Sequence, residues 1–295
     1  SPKDVEALIV GAAQPERFVF QCHVAPMVAE YLGINPRKVL ARTELMCASG
    51  QAAIRYAWAV VASGLADVAC AFGVEKMFMP DMAEAQTNMT CVLDREFDGV
   101  NALSAPPFFA MTAQRHMYEF GTTKEQMALV SVKNHHYSTM NQLAQFQKET
   151  TVEEVLKSLP VAPPLSLFDC SGITDGAAGV ILVPEENAKK YTDAPMYIVG
   201  SGQASIGNVI GNLASLTEWV PLKVASEEMF RTAKISLKDI DIAELHDCFT
   251  ISEIMEYEAF GWCKKGNGGK FIQNGEPYIG GTIAVNPRGG LPVSY

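Results

Sequence analysis

The sequence predicts an α/β protein whose central sheet is mainly parallel. Three observations carry that expectation. Short runs rich in Val and Ile alternate with longer stretches of helical periodicity, the rhythm of βαβ units. Glycines at 33, 64 and 261 fall where helical patterns stop, as C-caps do. The run 68–74 is apolar without alternation, the mark of a strand covered on both faces. With 295 residues, 48% of them hydrophobic and 19% charged, the chain can build a sizeable core in one large domain or two smaller ones.

Each element follows in order. Residues 5–10 read as a strand ending at Gly11, and 24–32 as a short helix closed by Gly33. Thr43 to Met46 leads into Cys47-Ala-Ser-Gly-Gln51, and 51–63 is an Ala-rich helix with Ile54, Trp58 and Val61 at helical spacing. The strand 68–74 comes next. From 76 to 165 the rhythm breaks, with many Met and Pro pairs at 106–107 and 163–164, which suggests an inserted subdomain with helices near 105–120, 123–138 and 151–159. Strands at 177–183 and 196–199, a helix at 220–233 and a strand at 242–245 restore the order. His246-Asp-Cys-Phe249 then opens a helix over 250–260. Strand, cysteine, helix thus occurs twice, which suggests a duplicated α/β unit.

Charge and cysteine usage narrow the function. Lys plus Arg number 23 and Asp plus Glu 33, a net charge of −10 that disfavours nucleic acid or an anionic membrane as partner. No window of roughly 18 uncharged apolar residues occurs and no signal-peptide h-region opens the sequence, so a soluble, cytoplasmic protein is expected. Seven cysteines, spread along the chain without a CxxC pair, argue against a disulfide framework and a zinc site; no metal is expected. Cys70 reads as a small core residue.

Two cysteines stand out. Cys47 lies just before a helix, where unpaired backbone N–H groups favour thiolate over thiol, and Ala48, Ser49 and Gly50 leave room for a substrate carbonyl. It is either a nucleophile that forms acyl intermediates or a core cysteine at a tight turn. His246-Asp247-Cys248 ends a strand, where ligands gather in open α/β sheets. There His246 could donate to an oxyanion and Cys248 exchange a proton, or Asp247 could simply cap a helix. The pair His135-His136 suits a solvated helix face, His23 a helix cap, and His116 an amphipathic helix. Residues 264–270 suit a surface turn, since they lack Walker-A spacing.

Four motifs in order, Cys47-Ala-Ser-Gly-Gln-Ala52, Asp169-Cys-Ser-Gly-Ile-Thr-Asp-Gly-Ala177, His246-Asp-Cys-Phe249 and Val285-Asn-Pro-Arg-Gly-Gly290, resemble those of the thiolase superfamily. The His-Asp-Cys-Phe form is similar to the sterol-carrier-protein-type and archaeal acetoacetyl-CoA thiolases. The resemblance implies two duplicated βαβαβαββ halves with an inserted loop domain: 1–75 and 166–190 form the first half, 76–165 the coenzyme A loop domain, and 191–295 the second half. It implies that Cys47 is the acyl-accepting nucleophile and that Cys248 removes a proton from the α-carbon of acetyl-CoA. His246 would hold the thioester oxygen of that substrate, and Asn286 would shape the catalytic cavity. The activity implied is acetyl-CoA C-acetyltransfer with coenzyme A thioesters as substrates and no further cofactor. Implied partners are a second copy of the chain in a dimer or dimer of dimers, a small OB-fold/zinc-ribbon acyl-CoA-binding protein and hydroxymethylglutaryl-CoA synthase.

Two departures accompany the resemblance. Arg288 stands where the family usually has serine, and the family's Gly-His-Pro histidine, which activates the nucleophile, does not follow Leu291-Pro-Val-Ser-Tyr295. The chain also lacks the usual first strand and helix, so it reads either as a fragment of a longer thiolase, the favoured reading, or as a divergent, inactive relative. Two other readings keep the fold, a retro-aldolase acting on acyl-CoA side chains and a non-catalytic acyl-CoA-binding scaffold; Cys47 argues for the thiolase.

Overall fold

The computed structural model describes residues 1–79, 81–101, 103–207 and 209–294. Pro80 and Ala102 of the expected loop domain, and Asn208 and Tyr295 near the chain's later motifs, lie outside the described residues. In chain order the elements are β1 (Ala7–Gly11), α1 (Pro15–Phe18), α2 (Val24–Leu32), β2 (Val39–Thr43), α3 (Ser49–Ala62), β3 (Ala69–Glu75), α4 (Met82–Met89), α5 (Ala105–Phe120), α6 (Lys124–Ser138), α7 (Val152–Lys157), β4 (Pro160–Ala162), β5 (Leu165–Ser166), β6 (Gly176–Leu182), α8 (Val220–Ala233), β7 (Ile242–Ala243), α9 (Thr250–Phe260), α10 (Gly268–Gln273), β8 (Ala284–Val285) and α11 (Leu291–Ser294). They form two compact units, Ser1–Asn88 with Ile173–Ile198, and Met89–Gly172 with the described residues from Val199 onward.

The first unit is a four-stranded sheet in the order β2-β1-β3-β6, with β1 parallel to both β2 and β3, and β6 antiparallel to β3. All of β1 is buried, so its period-2 alternation feeds two cores. Leu8 and Val10 pack with Val24, Ala25, Val28 and Ala29 of α2, while Ala7 and Ile9 pack with Ala53 and Ala57 of α3. Alanines on α3 and on the facing strands let the helix approach closely. Closest of all is Gly11: a Cβ there would stand 2.5 Å from the Ser49 carbonyl oxygen and 2.9 Å from the Gly50 nitrogen. Only glycine admits the first turn of α3 at that point.

The second unit is mostly helical. Around α9, Met127 and Val130 of α6 and Ile272 of α10 pack with Ile251, Ile254, Met255 and Tyr257. Residues 250–257 of α9 are buried on every side, polar ones included. Capping boxes, Thr123 with Gln126 and Thr151 with Glu154, start α6 and α7. Strands β7 and β8 are short and parallel, Ile242 beside Ala284 and Ala243 beside Val285. Their carboxyl ends therefore open side by side.

Several local expectations change. Residues 196–199 are not a strand; they carry no partner strand among the described residues, and Met196 is 96% exposed. A strand without a ladder has nothing to satisfy its backbone groups. Residues 264–270 are only partly a surface turn, because Gly268 and Gly269 begin α10 and are buried against Ile254, Glu258 and Gln126. Among the described residues no helix is long and apolar enough to cross a membrane.

Candidate active site

In the first unit, Cys47 sits in a single 3-10 turn, Met46–Ala48, joining β2 to α3. Ser49 ties that turn, accepting from the Leu45 N–H at 2.9 Å and donating to the Met46 carbonyl at 2.6 Å. Met46 takes a positive φ of 48°, and its N–H donates to Glu44 Oε1 at 2.6 Å. A left-handed methionine is costly unless its surroundings impose it. The turn presents Cys47 outward as an exposed residue. Its thiol nevertheless differs from expectation. Desolvation by the protein around the sulfur, and the nearby Glu75 carboxylate, raise it above the ordinary thiol range, against the opposing pull of its own backbone N–H. Thiolate must therefore be produced by a base.

In the second unit, the β7 and β8 loops bring His246, Cys248 and Asn286 to one place. The Asn286 N–H donates to the Ala243 carbonyl at 2.8 Å, and its Oδ1 accepts from the Leu245 N–H at 2.7 Å, which latches one loop to the other. The Cys248 carbonyl accepts from the Ser171 N–H at 2.9 Å, and Cys170 forms a β-bridge with Phe249. Three of the four motifs thus converge here. Burial lowers the pKa of His246, which keeps its imidazole neutral at neutral pH with one ring N–H to donate. Burial and Asp169 push the Cys170 thiol up to about 12, which makes it a poor nucleophile.

Asp247 is not the helix cap that the sequence suggests; Phe249 holds the N-cap position of α9. The aspartate is fully buried, accepting from the Leu291 N–H at 2.8 Å and from Asn134 Nδ2 at 2.6 Å. Burial, with Glu253 close by, raises it to about 8. Behind it lies a network that sequence reasoning missed. Lys133, wholly buried, donates to Asn134 Oδ1 at 2.6 Å, to the Val285 carbonyl at 2.8 Å and to Glu253 Oε1 at 3.0 Å. Glu253 also accepts from Asn286 Nδ2 at 2.7 Å and from the Tyr257 hydroxyl. The sequence hides it: Ser252, Glu253 and Glu256 share one face of α9 opposite Ile251, Ile254 and Met255, the pattern of an ordinary solvated helix face, yet that face is buried.

The remaining candidates have settings of their own. His135 is buried and bonded to the Lys148 carbonyl, not solvated, while His136 is exposed against Glu149. His23 stands at the N-cap of α2 with a left-handed backbone and makes no side-chain cap. His116 is buried between Thr122 and Glu258. Of the five other cysteines, Cys70 is buried, Cys170 and Cys263 are half-buried, and Cys22 and Cys91 are exposed, so core packing does not account for all of them. Among the described residues no cluster of His, Cys, Asp or Glu could hold a metal ion.

A largely parallel α/β sheet with a cysteine at its strand-to-helix turn, and a second cysteine beside paired loops, are features that a thiolase-type fold carries. Residues 1–186 match the family model for the thiolase N-terminal domain, and residues 202–294 match the thiolase C-terminal domain-like model. The chain belongs to the thiolase family. It is 41% identical to an acetyl-CoA acetyltransferase of Methanothermobacter thermautotrophicus over 98% of its own length and 74% of the relative's. It is 38% identical to the benzoylsuccinyl-CoA thiolase subunit BbsB of Thauera aromatica, covering 91% of this chain and 69% of that one. A solved Ltp2–ChsH2(DUF35) aldolase has the same fold, with a TM-score of 0.86 at 24% identity over the whole of this chain and 76% of that one.

Proposed function

We propose that this chain is an acetyl-CoA C-acetyltransferase that joins two acetyl-CoA molecules into acetoacetyl-CoA and free coenzyme A, or runs the cleavage in reverse. The kinship with acetyl-CoA acetyltransferases supports the reaction class. The observation that carries the residue roles is the parallel β7–β8 pairing, which gathers His246, Cys248 and Asn286 at one end.

The Cys47 thiolate attacks the acyl-CoA carbonyl, the bond from carbon to the coenzyme A sulfur breaks, and coenzyme A leaves with a proton. Cys248 then takes the α-proton of a second acetyl-CoA. His246, neutral, donates its ring N–H to the thioester oxygen as the enolate forms. The enolate carbon attacks the Cys47 thioester, a carbon–carbon bond forms, the acyl–sulfur bond breaks, acetoacetyl-CoA departs, and the thiolate released on Cys47 takes up the proton that Cys248 removed. Coenzyme A thioesters are the substrates, with no further cofactor. Because the Cys47 thiol is held in its protonated form, a base must act on it, the role the family gives to its Gly-His-Pro histidine.

We also infer a cytoplasmic enzyme that works as a homodimer or dimer of dimers. The BbsB relative is described as a subunit, and the Ltp2 neighbour is paired with a DUF35 protein; both support a multi-subunit assembly, and the partners we propose for it, from the family resemblance alone, are an OB-fold/zinc-ribbon protein and hydroxymethylglutaryl-CoA synthase.

The test is direct. Purified enzyme should form acetoacetyl-CoA with ping-pong kinetics and carry labelled acetyl on Cys47. The Cys47→Ser variant should lose at least about 1000-fold in turnover; a variant that keeps normal turnover would refute the assignment.

A further inference from the structure

We propose that Lys133 and Glu253 are positioning residues of the condensation step, holding Asn286 directly and Asp247 through Asn134 so that the His246–Cys248 loop keeps one geometry. The proposal rests on the thiolase reading above. Burying an ammonium and a carboxylate together brings little net stability, because desolvation offsets their attraction; an apolar pair of the same size would serve a core at least as well. What the ion pair adds here is direction. All three ammonium protons of Lys133 are used, on Glu253, on Asn134 and on the carbonyl of Val285, the residue before Asn286. Glu253 returns one oxygen to Asn286 Nδ2, and Asn134 passes the other branch to Asp247, the residue before Cys248.

The loops need such a hold. Asn286 has a left-handed backbone with φ of 50°, and Gly290 lies so close that a Cβ would clash with the Asp247 carboxylate and the Asn134 amide. A non-glycine residue in that conformation persists only where several contacts impose it. For Asn286 those contacts are the Ala243 carbonyl, the Leu245 N–H and Glu253. The bonds of the network join α6, α9 and the two loops within the second unit, whereas the turn that carries Cys47 belongs to the first. Its loss should therefore slow condensation and spare acylation.

Glu253→Gln is the sharpest probe. The amide keeps the shape but replaces one acceptor oxygen with a donor, so either Asn286 or the Lys133–Tyr257 side meets a donor. The double variant Lys133→Met with Glu253→Gln carries no unpaired buried charge and covers the case in which the single variant does not fold. Each would be measured, as full-length enzyme with confirmed circular dichroism, for the burst of coenzyme A released on acylating Cys47 and for steady-state acetoacetyl-CoA formation. The expected result is a burst within about twofold of wild type, a KM changed less than about threefold, and a kcat lower by about 100-fold, the loss a displacement of about 1 Å produces. Exposed Lys157→Ala should change nothing. A folded double variant condensing at the wild-type rate, or one whose acylation falls as far as its condensation, would overturn the proposal. A wild-type enzyme that never acylates Cys47 would instead overturn the thiolase reading.

Discussion

At the scale of single residues, the site depends on groups that hold other groups. Gly11 is the clearest: Gly11→Ala would set a methyl against the Ser49 carbonyl, and neither backbone can yield cheaply. It should destabilise the first unit by about 1–3 kcal/mol and displace the Cys47 turn, read as a lower melting temperature together with reduced acylation. The raised Cys47 thiol makes a second prediction. Its alkylation by iodoacetamide should be slower than that of free cysteine at pH 7 and still climbing at about pH 8.5; a plateau by pH 7 would contradict the desolvation seen around it. Asp247 supplies the third. Its folded pKa, about 8, lies above the unfolded value of about 3.9, so folding takes up a proton between those values. That contribution to stability is whole below about pH 4 and is lost as pH rises toward about 8. Glu256 shifts in the same sense, for the same reason of burial. The melting temperature should accordingly fall from pH 5 to pH 8, with a shallower slope in Asp247→Asn.

At the scale of elements, legibility followed the source of each signal. Helices α2, α5, α8 and α9 were readable to the residue, because local chemistry sets them: Gly33, Gly121 and Gly261 take positive φ at their C-caps, and α5 and α8 have proline in the first turn. Strand β1 was readable because both its faces are buried. Residues 196–199 have the same Val and Ile composition and form no strand, since a ladder depends on a partner elsewhere in the chain, which composition does not report. The site divides in the same way. Cys47, His246, Cys248 and Asn286 were legible as motifs, whereas Lys133 and Glu253 were not, because the ion pair that joins them, and the bond from Lys133 to the Val285 carbonyl, each bridge more than a hundred residues of sequence. Core packing around α9 gives the element-scale test. Ile254 is completely buried, and Ile254→Ala should cost about 2–5 kcal/mol, measured by denaturant unfolding, with part of the loss appearing as slower condensation because α9 carries Glu253.

For the molecule as a whole, the homodimer proposed above needs an edge to pair through. Strand β2 ends the sheet of the first unit and pairs only with β1 among the described residues. Beside it lies an open groove of about 650 Å³, lined by Val39, Ala41, Leu45, Tyr56, Ala59 and Val60 and also by the polar Arg42, Thr43, Glu44 and Ser63. An edge strand is a template for pairing with another chain, and a second copy supplies the same edge about a twofold axis; Arg42, paired with Glu16, is the one charge on this strand. Each protomer carries a net charge of −10, so pairing must overcome like-charge repulsion that salt screens over about 10 Å at 0.1 M. If β2 is the dimer edge, light scattering should give twice the protomer mass, and dimerisation should tighten as salt rises from about 0.02 to 0.5 M. Tyr56→Glu, half-exposed on α3 one helical turn beyond the Cys47 motif, should shift the equilibrium to monomer with its circular dichroism intact. A Tyr56→Glu protein that stays dimeric with the wild-type salt dependence would move the interface away from this edge.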